Sequence, residues 1–186
     1  MHRNRSVFYF ILAQLCFYIG LAICIAVRPR SLAANSGISY FGIYASTFAP
    51  YAVALLGSSV LSLIAVSQRS VCAPKILRAT FIIFLLLTLG IIATPYTFSS
   101  LFDWAHTILG SILFSLQLVL IAWLTLRQLR TPQAFGLLLF VFASGVAAAI
   151  YVRPAHGFLI QSQILFQIGF GLFMIYSLRS LKPVKS

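Results

Sequence analysis

The sequence predicts an all-α fold, a polytopic bundle of six transmembrane helices joined by short loops. Three observations predict it. Hydrophobic residues make up 61% of the 186-residue chain and charged residues only 8%, more apolar surface than a soluble domain can hide. Apolar runs of about 20 residues, the length that crosses a bilayer core, recur from one end to the other. The runs are continuously apolar rather than alternating, so each is a helix that satisfies its own backbone and not a barrel strand. Six such spans use up almost all of residues 1–186, so the chain is expected to form one transmembrane domain.

The basic stretch Met1–Ser6 precedes the first span, 7–27, which is too long for the apolar core of a signal peptide. Arg28, Pro29 and Arg30 open the first connector. Gly37 and Gly42 there permit tight turns, and Ser39, Tyr40, Tyr44 and Tyr51 suit the headgroup level. Span two is expected over 49–66, with Pro50 starting or kinking it. A connector with Arg69, Pro74, Lys75 and Arg78 leads to span three, 79–94, ended by Pro95. The next connector holds Ser99, Ser100 and Asp103, and span four covers 104–126. Arg127–Pro132 is a tight basic turn into span five, 134–152. Arg153–Gly157 turns the chain back into span six, 158–178.

Charge sets the expected orientation. Ten of the thirteen Lys and Arg fall at the N-terminus, the second and fourth connectors and the tail, and three fall on the opposite side. Positive-inside then predicts a multi-pass protein of the plasma or inner membrane with both termini cytoplasmic. The same placement accounts for the net charge of +12 without nucleic acid, because the cations flank apolar runs and form no separate basic face. The bilayer is the expected partner. Cys16, Cys24 and Cys72 are scattered and lack metal-site spacing, so they read as small packing residues.

Asp103 is the only acidic residue, and it lies three positions before His106. Arg28, Arg30, Tyr40, Arg153 and His156 share its side of the membrane, and together they are candidates for binding a lipid headgroup or another membrane protein. Two catalytic alternatives use Asp103 and His106. In one, Asp103, His106 and His156 hold a divalent metal that activates water against a lipid. In the other, Arg28, Arg30 and Arg153 clamp a phosphate while His106 acts as acid or base. A plainer reading makes Asp103 the N-cap of span four, paired with a connector Arg, and His106 an interface residue. No other cofactor is expected. A haem between His106 and His156 would have to sit at the outer edge.

Gln14, Gln117, Gln163 and Gln167 lie inside spans one, four and six, where they either line a solute path or bond one helix to another. Small residues recur at four-residue spacing in span five, Ser144 with Ala148 among them, and fit close internal packing. No span carries Lys or a central carboxylate, which argues against a Schiff base and a proton relay. Phosphate-loop and nucleophile-elbow motifs are missing too.

Six spans, a Ser39-x-x-Gly42 turn after span one and an Asp103-x-x-His106 start to span four resemble the DRAM/Frag-like proteins and related bacterial six-helix membrane proteins without an agreed activity. The resemblance implies a six-helix bundle with both termini inside. It implies roles in lipid-anchor remodelling or autophagy-linked membranes for eukaryotic relatives. Tyr40 stands where that family often has Asp, so any role of that carboxylate is absent here or taken by Asp103.

Overall fold

A computed structural model describes residues 2–32, 37–68, 75–151 and 157–180 of the chain, with side chains from residue 5 onward. Within these residues the chain forms six long helices and no strand. They are α1 (His2–Val27), α2 (Ala45–Ser67), α3 (Lys75–Ala93), α4 (Ser100–Leu124), α5 (Pro132–Tyr151) and α6 (Leu159–Ser180). All six are long and apolar enough to cross a membrane, with mean hydropathy over their spanning windows from 1.5 to 2.5. Large side chains such as Ile19, Val53, Leu86, Leu139 and Phe142 face outward, as lipid permits and water would not.

Each helix packs on its neighbours in the chain, and α6 also packs on α1, so the six close into a ring. The span in α6 is the most buried of the six. The main core joins Phe10, Phe81, Phe84, Phe166, Phe170 and Phe173, mostly in edge-to-face and tilted contacts.

The tightest interface, between α1 and α2, depends on small residues. A methyl group at Gly20 would stand 2.6 Å from Ala54 Cβ and 2.9 Å from the Pro50 carbonyl oxygen. At Gly57 it would meet Cys16 Sγ at 2.6 Å. Cys16 and Cys24 pack against the Val53 and Thr47 carbonyls, in keeping with packing roles, while Cys72 lies outside the described residues. On α5, Ser144 and Ala148 are buried, so its small face serves internal packing as expected.

Four helices start four or five residues before the expected spans, α1 at His2 and α3 at Lys75 among them. Span two starts earlier, at Ala45, and takes Pro50 inside the helix. Pro50 is the sixth residue of that helix, so its missing N–H costs one rung near the helix start, the bond that would reach the Ser46 carbonyl. Span four starts at Ser100, not 104, because Ser99 caps it: its hydroxyl accepts from the Phe102 N–H at 3.3 Å. Asp103 therefore sits in the first turn and is not the cap. At the other end α4 runs into a π-helical turn, Thr125–Leu129, closed by left-handed Arg130 (φ 47°), whose N–H donates to the Thr125 carbonyl at 2.9 Å.

Candidate functional site at the rim of the bundle

An even number of helices puts the start of α1 and the end of α6 at one end of the bundle. The opposite end is the rim, formed where α1 meets α2, α3 meets α4 and α5 meets α6. The first connector folds onto this rim, with a 3-10 helix over Ile38–Ile43, because four side chains hold it there. Phe41 is fully buried between α1, α2 and α6, against Phe17, Leu21, Cys24, Tyr51 and Ile160. Buried Thr47 donates from its hydroxyl to the Phe41 carbonyl at 2.7 Å. Gln163 Oε1 accepts from the Ile38 N–H at 2.8 Å, and Gln161 Nε2 donates to the Leu32 carbonyl at 2.7 Å. Gln163 thus lies in the first turns of α6, not mid-span, and binds connector backbone rather than another glutamine.

That anchorage presents Tyr40 and Tyr44 to Arg28. The guanidinium carbon of Arg28 lies over the Tyr44 ring, 3.4 Å from its centre. Such stacking is worth about 0.5–2 kcal/mol depending on desolvation. The Tyr44 hydroxyl donates to the Tyr40 hydroxyl at 3.0 Å, and the two rings stand 4.9 Å apart. No described carboxylate pairs with Arg28, and its Nε is buried without a hydrogen-bond partner. Arg30, two residues on, is exposed.

The second half of the rim is the turn between α3 and α4. His106 Nδ1 is 2.8 Å from the Thr94 carbonyl. A carbonyl only accepts, so Nδ1 carries the proton and Nε2 faces away. The imidazole ties α4 to the end of α3 and meets the Tyr96 ring edge-on at 5.6 Å. Tyr96 lies within electrostatic reach of Tyr44, Tyr40 and Asp103. Burial raises its phenol pKa above the ordinary value, and those three neighbours add to the rise. The Tyr44 phenol is raised first by its hydrogen bond with Tyr40, then by burial and by Tyr40's charge, against the lowering effect of Arg28.

Asp103 is exposed on the first turn of α4 and forms no ion pair with a described residue. It is flanked by Phe98, Leu101 and Trp104, which are 78%, 74% and 71% exposed. Side chains that large and apolar belong in the interfacial layer of a bilayer.

Of the predicted site residues, Arg28 and Tyr40 come together through Tyr44, and His106 joins Tyr96. Arg153 and His156 lie outside the described residues. Among the described residues, no three His, Cys, Asp or Glu side chains group as metal ligands would. Compared with known proteins, the chain matches no family model, no curated protein and no solved structure. Its chemistry is therefore read from these residues themselves.

The buried glutamines form a second polar locus. Gln167 Nε2 donates to Gln117 Oε1 at 3.2 Å, and both line a cleft at mid-depth with Gln14. Ser58, Ser59, Ser62 and Thr88 complete its polar lining. The sequence reading missed these four, although Ser58, Ser59 and Ser62 have the spacing of one helix face.

Proposed function

We propose that this multi-pass membrane protein binds the anionic headgroup of a lipid at its rim, with the rim on the extracytoplasmic side. The observation that carries the reading is the Arg28 guanidinium over the Tyr44 ring, with no carboxylate partner among the described residues. Stacking holds the guanidinium plane and leaves its in-plane N–H donors to fork a phosphate. The Tyr40 hydroxyl already accepts from Tyr44, so its own proton can go to the same phosphate. Phe98, Leu101 and Trp104 set the depth, since they favour the layer where lipid phosphates lie. The excess of Lys and Arg at the opposite end supports the orientation.

The test is lipid retention. Protein reconstituted in nanodiscs of phosphatidylcholine with a minor share of phosphatidylglycerol should retain phosphatidylglycerol in native mass spectrometry. A charge-assisted hydrogen bond contributes about 1.5–3 kcal/mol, so Arg28→Gln should weaken that preference roughly 10- to 100-fold. Arg28→Lys should restore it only in part, because the ammonium keeps the charge and loses the fork. Equal preference in wild type and Arg28→Gln would refute the proposal. For orientation, a cysteine at Arg30 should react with an impermeant maleimide in intact cells, and one at Ser180 should not.

A further inference from the structure

The cleft at the centre of the bundle has a volume of about 80 Å³ and is lined by five of the six helices. Its depth follows from the sequence positions of its walls. Gln14, Ser58 and Gln117 each lie near the middle of their spans. Three of its groups are spent on each other or on backbone: the Ser59 hydroxyl donates to Thr88 Oγ1 at 3.2 Å, and the Ser58 hydroxyl donates to the Leu55 carbonyl at 3.0 Å. The Gln167–Gln117 bond uses one donor and one acceptor.

Several groups are left over. The Gln14 amide, the Ser62 hydroxyl, the Gln117 NH2 and the Gln167 carbonyl have no hydrogen bond to a described residue. Gln117 is only 6% exposed, so its NH2 can reach little besides the cleft. Gln14 owes its place to Gly171, since any Cβ there would collide with its Oε1. Polar groups left without partners at this depth cost several kcal/mol each by order of magnitude. Interhelical bonding alone would pair them. Here two such bonds are made, Ser59–Thr88 and Gln167–Gln117, and both donors and acceptors remain.

We infer that this cleft is a binding site for a small uncharged solute rich in hydrogen-bonding groups, an amide or polyol of about four to six heavy atoms. The size follows from the volume, roughly half that of an engineered cavity known to hold benzene. The charge follows from the walls. Among the described residues, no Asp, Glu, Lys, Arg or His lines the cleft, so an ion would be stripped of water with nothing to neutralise it. Phe17, Phe84 and Phe170 cover the apolar edge of such a molecule. The inference is independent of the headgroup reading, which concerns the rim.

Urea and guanidinium share shape and size and differ in charge, so they are the probes, with glycerol as the polyol. Full-length protein in nanodiscs is examined by saturation-transfer NMR with each probe at millimolar concentration. Wild type should transfer saturation to urea and glycerol and not to guanidinium. Gln117→Leu keeps the volume and removes the amide, and should weaken urea binding about three- to tenfold. Gly171→Ala should push Gln14 into the cleft and reduce binding of both neutral probes. Gly110→Ala, where added bulk meets open space, should bind as wild type does. Circular dichroism and gel filtration must show each variant folded. Ser62→Ala, which removes one hydroxyl and adds no bulk, replaces any that is not. The inference is overturned by transfer no greater than in protein-free nanodiscs, which would leave the cleft holding water only. Equal transfer to guanidinium, or binding unaltered in folded Gln117→Leu or Ser62→Ala, would overturn it too.

Discussion

Adding one methyl group at Gly20 and at Gly110 is the same chemical change, yet the structure gives the two opposite consequences. At Gly20 the new Cβ would stand 2.6 Å from Ala54 Cβ and 2.9 Å from the Pro50 carbonyl oxygen. Carbon atoms pack at about 3.5–4.0 Å, so α1 and α2 must part locally by roughly 1 Å. A gap of that size forfeits a quarter to a half of each dispersion contact of ~0.1–0.2 kcal/mol across the crossing. Strain in an overpacked interface raises the total to about 1–3 kcal/mol. At Gly110 nothing lies within 4 Å of the new Cβ. Alanine's helix preference over glycine, about 1 kcal/mol, applies at both positions and cancels in the comparison. Gly110→Ala should therefore exceed Gly20→Ala in stability by about 1–3 kcal/mol, a 5- to 150-fold difference in the unfolding constant. The assay is reversible unfolding in mixed micelles by added dodecyl sulfate, followed by far-UV circular dichroism. If Gly20→Ala proves as stable as Gly110→Ala, the close α1–α2 approach is wrong.

Other substitutions test the rim and the helix ends. Ser99→Ala removes the cap of α4 and should cost about 0.5–2 kcal/mol, whereas Asp103→Asn should cost only the smaller helix-dipole share of about 0.3–1 kcal/mol, both read in the same micelle titration. Gln163→Leu deletes the acceptor of the Ile38 N–H, so hydrogen exchange at that amide should accelerate about three- to tenfold while amides in mid-α6 stay protected. The raised phenol of Tyr96 means that the folded protein holds this proton more tightly than the unfolded chain does. Its contribution is complete below the ordinary phenol pKa of about 10 and fades as pH climbs through the raised value. Tyr96→Phe should therefore flatten the alkaline loss of stability, and a wild-type profile no steeper than the variant's would contradict the assignment.

The six-span architecture was legible because span length and apolarity depend on the bilayer, a solvent whose demands act on each segment separately. Small residues could be assigned to packing on the same ground, and Ser144 and Ala148 follow that rule. Cap placement was not legible. Asp103 and Ser99 both suit an N-cap, and local preference does not separate them. The Gln residues divide in the same way. The identity of Gln163 announces only a need for partners, and the fold of the first connector over α6 supplies the Ile38 N–H. For Gln117 the partner is Gln167, 50 positions away, set by which faces of α4 and α6 meet.

Sequence alone determined the class of molecule, the number of crossings and the asymmetry of charge between the two ends, since these are sums over local composition. Only the tertiary structure decided that Arg28 lies on Tyr44 and that His106 is bound to the Thr94 carbonyl. It alone brought three glutamines and a serine face from four helices around one cleft. Such pairings depend on helix rotation and register, which a lipid-facing apolar surface constrains weakly and which contacts between distant segments select.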